Sequence, residues 1–121
     1  MRTTYEFQAG ILIAEMIERE TAEETSEFVR GLLAALRERG GNRVLISVRN
    51  SRPLFKVEDW RLSAAMDEIK AIPAFRVAFI ADAREINMSQ EYICVLLRQR
   101  SIEGRVFADK SEALAWLGEA R

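Results

Sequence analysis

The sequence predicts an α/β domain: four helices packed on a mainly parallel five-stranded sheet, with one antiparallel edge strand, in the order β-β-α-β-α-β-α-β-α. Three observations carry this. Short apolar runs rich in β-branched residues, over 44–48 and 76–81, read as strands buried on both faces. Stretches with apolar residues at helical spacing lie between them. Helix-start signals, Thr21-Ala22-Glu23-Glu24 and Asp109-Lys110-Ser111-Glu112, punctuate the alternation. Helices alternating with buried strands need crossover connections, and crossovers give parallel pairing.

Tyr5 to Gln8 alternates apolar and polar, as a short strand does, and Gly10 breaks it. Ile11 to Met16 is a second strand, placed to pair with the first as a hairpin. The Thr21 capping box opens a helix that runs to about Arg39, with Phe28, Leu32 and Leu36 as its apolar stripe and Val29 and Leu33 beside them. Glu residues crowd its first turns and Arg37 and Arg39 its last, as the helix dipole favours, and Gly40-Gly41 ends it. After the buried strand over 44–48, Arg49 to Lys56 reads as extended or looped. A second helix is expected over about 57–71, with Leu62, Ala65, Met66 and Ile69 inward and Pro73 as its stop. The strand over 76–81 leads into a loop, Asp82 to Met88. Ser89 is the expected N-cap of a third helix whose inner stripe is Tyr92, Ile93, Leu96 and Leu97. Gly104 to Phe107 is the last strand, and Asp109 opens the fourth helix, with Ala113, Leu114 and Leu117 inward and Trp116 beside them as a lid on the core.

Composition narrows the function classes. At 121 residues and 49 % hydrophobic, the chain suits a single domain over 1–121 with a sizeable core. Eighteen basic residues against nineteen acidic leave a net charge of −1, with the signs interspersed, so no basic field for nucleic acid is expected. There is no histidine, which excludes histidine triads, histidine metal sites and imidazole acid–base work. One cysteine makes neither an internal disulfide nor a CxxC site. Cys94, within a helical pattern, reads as a small buried filler and fits a reducing cytoplasm. No signal-peptide core precedes the first strand, and no apolar run approaches the roughly 20 residues of a membrane span. Walker A, GxGxxG, GxSxG and metal-ligand spacings are all missing, so no enzyme, cofactor or metal is expected.

Three stretches carry a resemblance. They are Val44-Leu45-Ile46-Ser47-Val48-Arg49, Arg76-Val77-Ala78-Phe79-Ile80-Ala81-Asp82, and Arg105-Val106-Phe107-Ala108-Asp109 followed by Glu112-Ala113-Leu114-Ala115-Trp116-Leu117. Together with the element order, they make nearly the whole chain resemble the SpoIIAA-like family of small bacterial proteins, related to STAS domains and, distantly, to CRAL-TRIO-type lipid-binding domains. The resemblance implies a STAS-like fold and a regulatory module that docks a partner protein. The phosphorylatable STAS antagonists carry Asp-Ser-Ser/Thr-Gly after the third strand. This chain has Arg49-Asn50-Ser51-Arg52 and no glycine there, so the phosphoserine does not carry over. Ser47 falls within a buried strand, and Ser51 is the reachable hydroxyl, on a loop without a motif around it.

In open α/β sheets, ligands sit beyond the carboxyl ends of the parallel strands. That edge carries Arg49, Arg52, Lys56, Arg84 and Asp82, next to helix N-termini. Guanidinium groups with helix N-termini hold phosphates and carboxylates. The plainer alternative is that these arginines are solvated and paired with Asp82, Glu85 or Glu58. Leu54, Phe55 and Trp60 form an apolar cluster beside the basic loop, either a cover for the sheet end or the lip of a hydrophobic pocket or dimer patch. The first functional expectation is a non-enzymatic, STAS-like interaction module of a bacterial cytosol. The second is a carrier or sensor of a lipid-like or anionic small molecule, with Arg49, Arg52 and Arg84 on its headgroup and Leu54, Phe55 and Trp60 on its apolar part. A homodimer covering the Phe55–Trp60 patch is the expected oligomer.

Overall fold

The computed structural model describes residues 1–53 and 62–119. Its elements are β1 (Arg2–Gln8), β2 (Ile11–Ile17), α1 (Ala22–Arg39), β3 (Arg43–Arg49), α2 (Leu62–Lys70), β4 (Arg76–Ala81), α3 (Arg84–Gln99), β5 (Glu103–Val106) and α4 (Lys110–Leu117). The fold is α/β, and the five strands lie in sequence order across one sheet. β1 pairs antiparallel with β2, and every other neighbouring pair is parallel. This is the predicted topology.

The hairpin turns on Ala9 and Gly10, both at positive φ, between the paired Gln8 and Ile11. Two left-handed residues give the twist that a two-residue hairpin needs. At Thr21 both halves of the capping box form: the side chain accepts from the Glu24 N–H, and the Glu24 carboxylate accepts from the Thr21 N–H. Gly40 closes α1 by donating its N–H to the Leu36 carbonyl. At α4, Asp109 caps the Glu112 N–H at 2.8 Å, but no return bond from the Glu112 side chain forms, so the second box is half of one.

Topology decides where the helices go. Each crossover from β2 to β5 moves one strand further in the same direction. Connections of one hand that all step the same way place their helices on the same face. The packing agrees. Leu12, Met16, Val44, Val48, Val77 and Phe79 form one core with Phe28, Leu32 and Leu36 of α1, Met66 and Ile69 of α2, and Ile86, Cys94 and Leu97 of α3. Residues of opposite strand parity, Ile11, Ile13, Leu45 and Ala78, pack with Ala113 and Leu117 of α4, and the half-buried Ile80, Phe107, Leu114 and Trp116 flank them.

Trp116 packs on Phe107 with ring centroids 5.4 Å apart, in the lid position expected for it. Arg76 fixes α4. Its side chain is nearly buried, its Nη1 donates to the Trp116 carbonyl at 2.9 Å, its Nε stands 3.0 Å from Glu103, and its guanidinium lies 4.9 Å from the Trp116 ring centroid.

α3 departs from expectation. It starts at Arg84, inside the predicted 82–88 loop, and its N-cap is Ala83, whose side chain makes no cap bond. Ser89 lies within the helix and donates to the Glu85 carbonyl one turn back. The inward stripe is Ile86, Gln90, Cys94 and Leu97, whereas Tyr92 is 49 % exposed. Gln90 holds a core position because its side-chain amide donates to the Ile80 carbonyl at 3.0 Å, which satisfies a polar group the apolar pattern would have placed outside. The predicted start of α2 near Val57, and Leu54, Phe55 and Trp60, lie outside the described residues.

Candidate functional site: an apolar cavity closed by a buried arginine

The one-sided helix layer removes the place where open α/β sheets usually hold ligands. That crevice forms where neighbouring crossovers leave the sheet on opposite sides. Strands in sequence order, with three helices on one face, have no such point. The cavity of this domain lies instead between the sheet and that helix layer. Its volume is about 100 Å³, and its walls include Met16, Phe28, Leu32, Met66, Phe79 and Ile93. These walls are almost wholly apolar. Arg19, Thr25, Ser89 and Gln90 supply the polar side chains that line it.

Arg19 lies two residues past the end of β2, and it is 2 % exposed. Its guanidinium donates from Nη1 to the Thr25 hydroxyl at 3.3 Å and from Nη2 to the Arg52 carbonyl. Its own backbone ties down the same loop, with the Arg19 N–H donating to Ser51 Oγ at 3.1 Å and the Arg52 N–H donating to the Arg19 carbonyl at 2.8 Å. Burial lowers the Arg19 pKa from its ordinary value, and the nearby Glu24 carboxylate partly offsets this. An arginine stays protonated through any ordinary shift, so a full positive charge is buried next to the cavity, behind the Arg19 stem that lines it. Glu24 itself is held below the usual carboxylate range, chiefly by the Glu20 N–H that it accepts at 2.7 Å, and by the Thr21 N–H and the chain's amino terminus.

The arginines singled out from the sequence stand elsewhere. Arg49 is exposed on β3, and strand alternation points it to the α4 face, away from the cavity. There its Nε lies 3.0 Å from Glu15, a partner on β2, and Glu15 also accepts from Ser47 Oγ at 3.0 Å. Arg52 and Arg84 are exposed at the carboxyl edge. The Asp82 carboxylate at that edge accepts the Asn50 N–H at 3.0 Å. Arg52 touches the cavity system through its backbone, held by Arg19. Ser51 is half-buried, and its hydroxyl donates to the Arg49 carbonyl.

Sequence reasoning missed Arg19. It lies in Glu18-Arg19-Glu20, which looks solvated, and one signal pointed the other way: it is the first arginine past the carboxyl end of a central strand. Cys94 is buried, and burial pushes its thiol up to about 11, with Glu91 adding to the rise. It is therefore a protonated core side chain at neutral pH. Among the described residues, no cluster of three or more metal-ligating side chains occurs, and no helix is long and apolar enough to cross a membrane. No family model, curated protein or solved structure matches the chain.

Proposed function

We propose that this domain is a non-enzymatic, ligand-responsive binding module whose ligand is a small amphipathic acid. The observation that carries this is Arg19, a buried arginine whose side chain lines an otherwise apolar cavity and whose guanidinium lies just behind its wall. Apolar walls reward a hydrocarbon body, at about 25 cal/mol per Å² removed from water. A buried cation rewards a single carboxylate, because charge-assisted hydrogen bonds strengthen where water is excluded. Size limits the body. A cavity of about 150 Å³ takes benzene, so about 100 Å³ suits a chain of roughly four carbons.

Arg19 also supports the STAS-like docking expected from the resemblance. Its guanidinium holds the Arg52 carbonyl, and Arg52 and Arg84 are exposed at the carboxyl edge. An acid that competes for Arg19 loosens the 51–53 loop and changes the surface that edge offers to a partner protein. Ligand occupancy and docking thus share one side chain.

The test is a titration of ¹⁵N-labelled protein with butyrate, hexanoate and octanoate, followed by amide shifts. Saturable shifts are expected at Thr25, Ile93, Ser51 and Arg52, strongest for the shortest acid that fills the cavity. Arg19→Met removes them, Arg19→Lys keeps part of them, and butanol shifts Ile93 without Ser51. Failure of every acid to shift these amides at millimolar concentration refutes the proposal. So does unchanged binding in a folded Arg19→Met variant.

A further inference from the structure

β1 forms one edge of the sheet, and among the described residues no strand pairs with its outer side. The ladder decides which backbone groups that edge offers. Just past β2, the Glu18 N–H donates to the Arg49 carbonyl, so the even-numbered residues leading up to it point their backbone at β3 and the odd-numbered ones at β1. The partners of those odd-numbered residues in β1 are Arg2, Thr4, Glu6 and Gln8. Backbone direction alternates along a strand, so Thr3, Tyr5 and Phe7 turn their N–H and C=O groups away from the sheet. Another strand completes such a row.

The usual guards of an edge strand are missing here. β1 runs seven residues without proline, glycine, lysine or bulge. Its charges indicate which strand fits it. On the face shared with α4 it carries Arg2 and Glu6, both exposed and placed symmetrically about Thr4. Arg2 Nη2 stands 2.7 Å from Glu18, which leaves its other N–H groups for a second carboxylate. Glu6 accepts the Gln8 side-chain amide at 3.4 Å and has no ion pair among the described residues.

We infer that a second copy of this chain pairs along this edge, with its β1 antiparallel and a two-fold axis passing between Thr4 and the partner's Thr4. That axis sets Thr3 against the partner's Tyr5, and the two residues exchange both backbone hydrogen bonds. Arg2 then stands directly opposite the partner's Glu6, at the closer, non-hydrogen-bonded sites, and the pair occurs twice as two-fold symmetry requires. Outward groups must meet outward groups, so the axis can fall only at a residue. At Tyr5 it would set Arg2 against the partner's Gln8 and Glu6 against the partner's Thr4. At Glu6 it would set Glu6 on the partner's Glu6, which the charges oppose. The Thr4 register is the one that matches them. A single strand pair buries less than the roughly 1,200 Å² of a stable interface. The dimer is accordingly weak and forms at high protein concentration.

The test is sedimentation equilibrium on the full chain from about 1 µM to 1 mM, with amide hydrogen exchange at both ends of that range. A monomer–dimer equilibrium is expected, with the Thr3 and Tyr5 amides protected at the high concentration and open at the low one. Thr3→Pro removes an outward N–H without removing a bond to β2, and it abolishes the dimer. Arg2→Glu and Glu6→Arg each place like charges at both pairs and weaken association about tenfold. The double variant R2E/E6R restores both pairs and returns association close to that of the parent chain. A monomer across the whole range overturns the inference. So does a dimer whose Thr3 and Tyr5 amides exchange as fast as in the monomer. A double variant no better than the single ones, with unchanged circular dichroism, overturns it too. Binding of acids in the cavity is independent of this outcome.

Discussion

Gly31 lies in the middle of α1, where glycine is usually a liability. Replacing an exposed helical glycine with alanine ordinarily stabilises by about 1 kcal/mol. Here the added methyl would stand 2.3 Å from the Tyr5 hydroxyl and 2.7 Å from its Cζ. Tyr5 is held where it is, because its hydroxyl donates to the Phe28 carbonyl at 2.8 Å and its ring stacks on Phe28 at 5.7 Å. Gly31→Ala must therefore push the phenol aside. That loses a hydrogen bond worth about 1 kcal/mol and adds overpacking of about 1–3 kcal/mol. Set against the helix gain, the net effect is destabilisation by about 1–3 kcal/mol, or roughly 4 °C in Tm for each kcal/mol at this size. In a Tyr5→Ala background the obstacle is gone, and the same Gly31→Ala change stabilises by about 1 kcal/mol. The assay is urea unfolding of the four chains of this double-mutant cycle, followed by far-UV circular dichroism. If Gly31→Ala has the same sign in both backgrounds, the contact between β1 and α1 is not what selects glycine.

Three further outcomes follow from other parts of the molecule. Ala9 adopts φ 52° at the hairpin, where a side chain beyond glycine is strained, so Ala9→Asn raises the unfolding free energy in urea by about 0.5–1 kcal/mol. Arg76→Met removes the clamp on the eight-residue α4, a helix too short to persist undocked, at a cost of about 2–4 kcal/mol; hydrogen exchange at Ala113–Leu117 should quicken while that of α1 holds. Cys94 keeps its proton in the folded chain up to about pH 11, whereas the unfolded thiol releases it near 9. The folded state then binds more protons than the unfolded one, so stability is full below about pH 9 and falls as pH rises toward 11, and Cys94→Ala flattens that decline in pH-dependent unfolding.

What the sequence showed depended on how local its cause was. α1 was legible because its start, stripe and stop are all encoded between Thr21 and Gly40: a reciprocal cap, apolar side chains every third and fourth position, and a glycine. The start of α3 was not, because Ala83 gives no capping signal and Ser89 offers a false one. Tyr92 and Gln90 exchange the positions that hydropathy assigns them, since the Ile80 carbonyl needs a donor and α3 turns Tyr92 outward. Arg19 was hidden for the opposite reason. Its neighbours in sequence are acidic, and the groups that hold it, Ser51 and Arg52, are 32 and 33 residues away. The cavity is space left between three strands and three helices, and no residue pattern records that.

Strand order ties these features together. A sheet whose parallel strands step one way keeps its crossover helices on one face. The usual ligand crevice at a reversal of strand order then has no place to form, and the space that remains lies under the helices. A ligand there meets whatever side chain the chain buries at the end of a central strand, and in this domain that side chain is Arg19. Among the described helices the same order leaves the second face to α4, and Arg76 holds that eight-residue helix there. It also makes α3 the last helix of its layer among the described residues, over β4 and β5. The exposed Met88–Tyr92–Val95 stripe is where that layer ends.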